Sequence, residues 1–100
     1  MNTELFMCAR FQAKPEHVIE LRTRLIEMVK LTHKEEGCLF YNLHVDINHE
    51  STFYFLEGWR DQESLEFHNS TPYIQAIIMD APRLSVDGVR VEIMHRIAPA

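Results

Sequence analysis

The chain has 100 residues, 46% hydrophobic and 25% charged, with 3 Gly and 4 Pro, which is the composition of one soluble globular domain over residues 1–100. At this length folding buries only about 60–65% of the surface that the unfolded chain exposes, so any burial gained by self-association counts. Fifteen acidic against ten basic residues give a net charge of −5, with no Lys/Arg cluster. That excludes binding of nucleic acid through its phosphates and gives no attraction to an anionic membrane, but leaves a small organic ligand open.

The longest apolar run is Leu5 to Ala9, preceded by Glu4. A secretory leader needs about 7–15 apolar residues and a membrane span about 20, so a cytoplasmic protein is expected. Cys8 and Cys38 sit in apolar stretches without a C-x-x-C spacing and read as reduced, packed thiols.

Thr3 to Phe11 is apolar on both alternations, as in a strand with two buried faces. Lys14-Pro15 opens a long helix, whose apolar stripe runs through Val18, Leu21, Leu25, Met28 and Val29. Gly37 is expected to close it in a left-handed conformation. Leu39 to Ile47 alternates strictly, Asn48–Ser51 forms a hairpin loop, and Thr52 to Arg60 is an aromatic-rich strand. Asp61 caps a short helix reaching His68; Thr71 caps a second from Pro72, which Pro82 should stop. Val89 to Ile97 alternates as the last strand.

The order is βαββαβ with the second helical region in two pieces, an α+β, ferredoxin-like antiparallel sheet with helices on one face. Those helices leave the other face bare. Yet Phe6 and Cys8 on the first strand, and Tyr54 and Leu56 on the third, carry apolar surface to that side. A patch of this kind is larger than monomers usually expose, so the open face is expected to pack against a second copy.

Several strings fall at informative places in this architecture: Lys34-Glu35-Glu36-Gly37-Cys38 followed by Tyr41, Glu57-x-Trp59 at the end of the third strand, Leu65-x-x-His68, and Thr71-Pro72. In this order and spacing, and over almost the whole chain, they resemble the antibiotic biosynthesis monooxygenase superfamily, especially its small quinol-monooxygenase-like members. The resemblance implies a homodimeric α+β barrel of two sheets packed face to face. It also implies oxidation of small electron-rich aromatics by molecular oxygen, with no flavin, haem or metal. A close relative isomerises a phosphorylated dione derived from a signalling molecule, and others degrade haem. Members with the Thr-Pro string often carry His after the Pro, where this chain has Tyr73.

Cofactor-free oxygenation needs a base to form the phenolate that dioxygen can oxidise, and a dry pocket to hold it. His68 is the candidate base: the family places a His there, and the i,i+3 relation to Leu65 turns it toward the core. Trp59, the only tryptophan, is the second catalytic candidate, able to pack a flat substrate and donate from its indole. Tyr41, Tyr73 and Asn42 are candidate substrate-binding donors, although Asn42 and His44 should point away from Tyr41. Glu57 shares the side of Trp59, and a structural role is expected for it. The six histidines show no metal-ligand spacing. An isomerase would need a cation for its phosphate, available only if Arg10, Arg90 or Arg96 faces the pocket. Haem-degrading relatives add an Asn on the first strand, where this chain has only Asn2. A non-catalytic small-ligand-binding dimer would show a collapsed pocket and an inaccessible His68.

Overall fold

The computed structural model describes residues 3–99. Its elements are β1 (Leu5–Ala13), a 3-10 turn (Pro15–His17), α1 (Val18–Thr32), β2 (Cys38–Val45), β3 (Thr52–Trp59), α2 (Gln62–Ser70), α3 (Pro72–Leu84) and β4 (Ser85–Met94). The strands form one antiparallel sheet in the order β2-β3-β1-β4, the expected ferredoxin-like arrangement, with the three helices against one face. No helix among the described residues is long and apolar enough to cross a membrane.

Pleating sorts the sheet residues by face. Leu5, Met7, Ala9, Phe11 and Ala13 of β1 are buried beneath the helices beside Phe53, Phe55, Glu57 and Trp59 of β3. Leu21, Leu25 and Met28 of α1, Leu65 of α2, and Ile74, Ile77 and Leu84 of α3 close over them. Arg24 reaches Asp80 at 2.6 Å and Arg83 reaches Glu20 at 2.8 Å, tying α1 to α3 at the surface. Exposed pairs of this sort are screened by solvent and add little, so the apolar layer holds the helices down.

The opposite face carries the rows Phe40–Gly58–Phe6–Met94, Asn42–Leu56–Cys8–Glu92 and His44–Tyr54–Arg10–Arg90. Leu56 is 44% exposed and Met94 47%, and the Phe6 and Phe40 rings stack at 6.1 Å beside them. The first strand is therefore fully buried on one side and half-buried on the other in the isolated chain.

Several local expectations are corrected. The long helix ends at Thr32, and residues 33–37 form a turn. Gly37 is not left-handed, since the only glycine with positive φ is Gly88 (φ 74°). It is needed for a close approach instead: a Cβ there would lie 2.3 Å from the Ser64 Cβ on α2. The alternation of the second strand breaks between Cys38 and Phe40, where the register shifts, so Cys38 and Tyr41 share the inner side while Leu39 is half-exposed. The strand stops at Val45, leaving Ile47 95% exposed in the turn. Pro82 lies inside α3, which continues to Leu84; a proline this near a helix end removes little from the ladder. β4 follows at once from Ser85 and ends at Met94, and Ile97 lies beyond it.

Candidate active site

Asp61 caps α2 as expected, accepting hydrogen bonds from the Ser64 backbone N–H at 2.8 Å and the Ser64 hydroxyl at 2.7 Å. The helix thus starts in a fixed rotation, with Ser64, Leu65 and His68 turned inward. Ser64 settles on Gly37, and this contact draws α2 against the turn that carries Glu35. The consequence is a buried hydrogen bond of 2.9 Å between His68 Nδ1 and Glu35 Oε2. Both residues are nearly sealed, with side chains 2% and 6% exposed.

A carboxylate only accepts, so the shared proton sits on Nδ1 and Nε2 is left as the basic nitrogen of the ring. Burial holds the His68 pKa below the ordinary imidazole value, with the Glu35 carboxylate working in the other direction. Tyr73 Oη donates to the same Glu35 oxygen from α3. Glu35 Oε1 has no hydrogen-bond partner among the described residues.

Around the imidazole lie Trp59, with ring centroids 4.4 Å apart, and Tyr41, at 5.3 Å. Tyr41 also stacks on Phe55 at 4.4 Å. Burial pushes the Tyr41 phenol far above its ordinary range, and the nearby Glu57 carboxyl adds to this. Trp59 donates its indole N–H to Glu57 Oε1 at 3.0 Å. Glu57 is 2% exposed, and burial raises its pKa to about 8 against the relief that the indole hydrogen bond gives. At neutral pH it is therefore largely a neutral acid.

His68, Tyr41 and Glu57 line a chamber of ≈ 60 Å³ between sheet and helices, walled by apolar residues including Met7, Met28, Phe55 and Ile77. Its lining includes no Lys or Arg. Arg10 lies on the open face, paired with Asp87 at 2.8 Å; Arg90 shares that face, and Arg96 stands 4.6 Å over the Phe6 ring. A space of this volume holds about two waters. A ring enters only as flexible walls such as Met7 and Met28 yield, which methionine does readily.

The structure thus brings His68, Trp59 and Tyr41 together. Tyr73 joins them only through Glu35, and lines an outer groove of ≈ 560 Å³ rather than the chamber. Asn42 is exposed on the far side of its strand, bordering a hollow of ≈ 470 Å³ along the β2 edge. Asn2 lies outside the described residues. Glu35 was missed as a site residue: the string that contains it was legible, but a carboxylate 33 positions before His68 gives no pairing signal in one sequence. No group of three or more potential metal ligands occurs among the described residues.

The raised Glu57 pKa carries a stability prediction. Its folded value of about 8 exceeds the ordinary 4.5, so the native state holds this proton more tightly. The contribution is full below pH 4.5 and is lost as pH rises toward about 8. His68 acts in the opposite sense, losing stability as pH falls below 6.5. Glu57→Gln keeps an acceptor for Trp59 and removes the titration, so its melting temperature should overtake that of the parent above pH 8. Thermal unfolding followed across pH checks this; an unchanged alkaline decline would show that Glu57 is not its source.

An antiparallel four-stranded sheet with a histidine–carboxylate pair buried under its helices, beside an apolar chamber, defines a ferredoxin-like α+β protein with a candidate small-molecule site. The family model described as antibiotic biosynthesis monooxygenase matches residues 5–79. The chain is 32% identical over 88 residues to "Putative monooxygenase YcnE" of Bacillus subtilis, covering 85% of this chain and 93% of that protein. Among solved structures, PA3566 of Pseudomonas aeruginosa superposes with a TM-score of 0.89 at 33% identity, covering 98% of each chain. Rv0793 of Mycobacterium tuberculosis superposes at 0.90 with 24% identity, covering 97% of this chain and 98% of that one, a likeness of fold. The chain belongs to the antibiotic biosynthesis monooxygenase family.

Proposed function

We propose that this protein is a cofactor-independent monooxygenase that oxidises a small quinol-like or phenolic aromatic with molecular oxygen, as a cytoplasmic homodimer joined through the open sheet face. The carrying observation is the buried imidazole, fixed by Glu35 with one basic nitrogen free, in an apolar chamber. His68 Nε2 takes the phenolic proton, and the phenolate gives one electron to dioxygen. The resulting radical pair joins to a ring peroxide anion, which takes the proton back from His68 Nε2, and loss of water from the hydroperoxide leaves the quinone. One oxygen atom thus enters the product and the other leaves in water. Tyr41 packs the ring, Trp59 backs His68 and Glu57 from outside the chamber lining, and the neutral Glu57 carboxyl supplies a hydrogen bond to a second substrate oxygen.

The absence of Lys and Arg from the chamber lining argues against a phosphorylated substrate, because a phosphate buried there would lack a counter-charge. A panel of quinols in an oxygen electrode, with no added cofactor, tests the reading. Oxygen uptake should match substrate loss one to one. Turnover of a phosphorylated hydroxydione without oxygen uptake would replace the proposal with an isomerase, and binding without turnover would replace it with a binding protein.

A further inference from the structure

The chamber runs across the whole sheet beneath the helices. Its lining takes Tyr41 from β2, Phe55 from β3, Ala9 from β1 and Val91 from β4. Neighbouring strands lie about 4.8 Å apart, so the slot spans about 14 Å in the cross-strand direction. Its two ends differ in kind. Tyr41, Glu57 and His68 sit at the β2–β3 end and are at most 2% exposed. At the β4 end Ile78 of α3 is 49% exposed and Val91 45%, and Asn69 near the end of α2 is exposed as well. The thin cover there follows from the reach of α3. Pairing of Phe11 with Val89, Ala9 with Val91 and Met7 with Ile93 sets all three β4 residues on the helix side. Exposure rises along them, from a half-buried Val89 to Ile93 at 58%, as β4 runs away from its junction with α3 at Ser85.

We propose that the gap between Ile78 and Val91, with Asn69 on its rim, is the mouth through which a flat, uncharged aromatic enters and leaves the chamber, and that Ile78 and Val91 gate its passage. This rests on the reading of the chamber as the substrate site and adds the route to it. A guest entering between α3 and β4 travels across β1 and meets the imidazole and the Glu57 carboxyl at the far end.

Three features support this route. The other two hollows do not open into the chamber: the outer groove shares no lining residue with it, and the hollow along the β2 edge shares only Tyr41. The Tyr41 ring, 1% exposed and stacked on Phe55 at 4.4 Å, stands between that hollow and the slot and closes this side. Second, the rim is branched and apolar with a single amide, and the ionisable groups of the lining are all at the far end. Such a rim sheds its water favourably onto an apolar guest, whereas an ion would lose hydration with no opposite charge to replace it. Third, the mouth lies on the helix side of β4, while Glu92, its neighbour along the strand, pairs with Cys8 on the open face. Subunits joined through the open face therefore leave the mouth free.

A gate, unlike a wall of the site, changes the rates of entry and exit together and leaves the equilibrium alone. Stopped-flow mixing with 1,4-dihydroxynaphthalene in the absence of oxygen, where the quinol binds and cannot be oxidised, reads both rates through quenching of Trp59 emission. Ile78→Phe with Val91→Phe fills the gap at two positions exposed enough to accept the bulk, and should slow association and dissociation at least tenfold with Kd held within threefold. Ile78→Ala with Val91→Ala, which has no bulk to accommodate, should speed both at least threefold. Ile26→Phe, at the exposed rim of the β2 hollow, should change neither. Association rates unchanged in both double variants overturn the mouth, and so does a rate that responds to Ile26→Phe alone. A weaker Kd at an unchanged association rate also overturns it, because the two side chains would then belong to the binding wall. Absence of saturable quenching in the parent removes the mouth and the chamber together. Binding that shows these rate changes, with no oxygen uptake once air is admitted, removes the monooxygenase and leaves the mouth standing.

Discussion

Replacing His68 by alanine lowers turnover of a quinol substrate by about 10²-fold, the lower end of what a positioned general base contributes, without unfolding the protein. The side chain removed makes one hydrogen bond, to Glu35, and ring contacts with Trp59 and Tyr41. The cost to stability is a small cavity and a carboxylate that keeps its bond to Tyr73. The parent's kcat/KM should hold level near neutral pH and fall in acid, because only the neutral imidazole accepts the substrate proton. Its midpoint should lie below 6.5, since burial opposes the imidazolium more than Glu35 favours it. Turnover within threefold of the parent in His68→Ala would remove the assignment. A circular dichroism spectrum matching that of the parent separates a chemical loss from a folding loss.

Leu56→Glu should convert the proposed homodimer to single subunits at micromolar concentration. Leu56 lies near the middle of the open face, paired in register with Cys8 and Asn42, with Glu92 one strand further. In one chain its side chain is half-exposed, so the fold tolerates a carboxylate there. Against a second copy, a two-fold contact would bring two such carboxylates into an apolar layer, at a cost of several kcal/mol each. Sedimentation velocity reads the outcome directly. A sedimentation coefficient equal to the parent's would mean that subunits do not meet through this face.

Much of this was visible in the amino-acid order because it rests on period and composition. β1 and β3 announce themselves through apolar alternation, α2 through its Asp61 cap, and the inward face of His68 through its spacing from Leu65. What was not visible depends on contacts distant along the chain. The role of Gly37 follows from Ser64, a neighbour on α2, and not from the helix it was expected to end. The carboxylate beside His68 is Glu35, from the turn before β2; Glu57 is bonded to Trp59. Periodicity sets Glu57 on the side of Trp59, but it says nothing of Glu35, which lies in an irregular turn. The register shift after Cys38 and the passage of α3 through Pro82 are local departures that pattern reading smooths over.

Trp59 is the sole indole of the chain and rests 4.4 Å from the imidazole. Its emission therefore reports on one location only, free of overlap from other tryptophans. Charging the neighbouring ring should quench it, and a guest seated against His68 should shift its colour. The protein thus carries an intrinsic optical gauge at the spot where chemistry is assigned, and occupancy can be followed by fluorescence with no label attached.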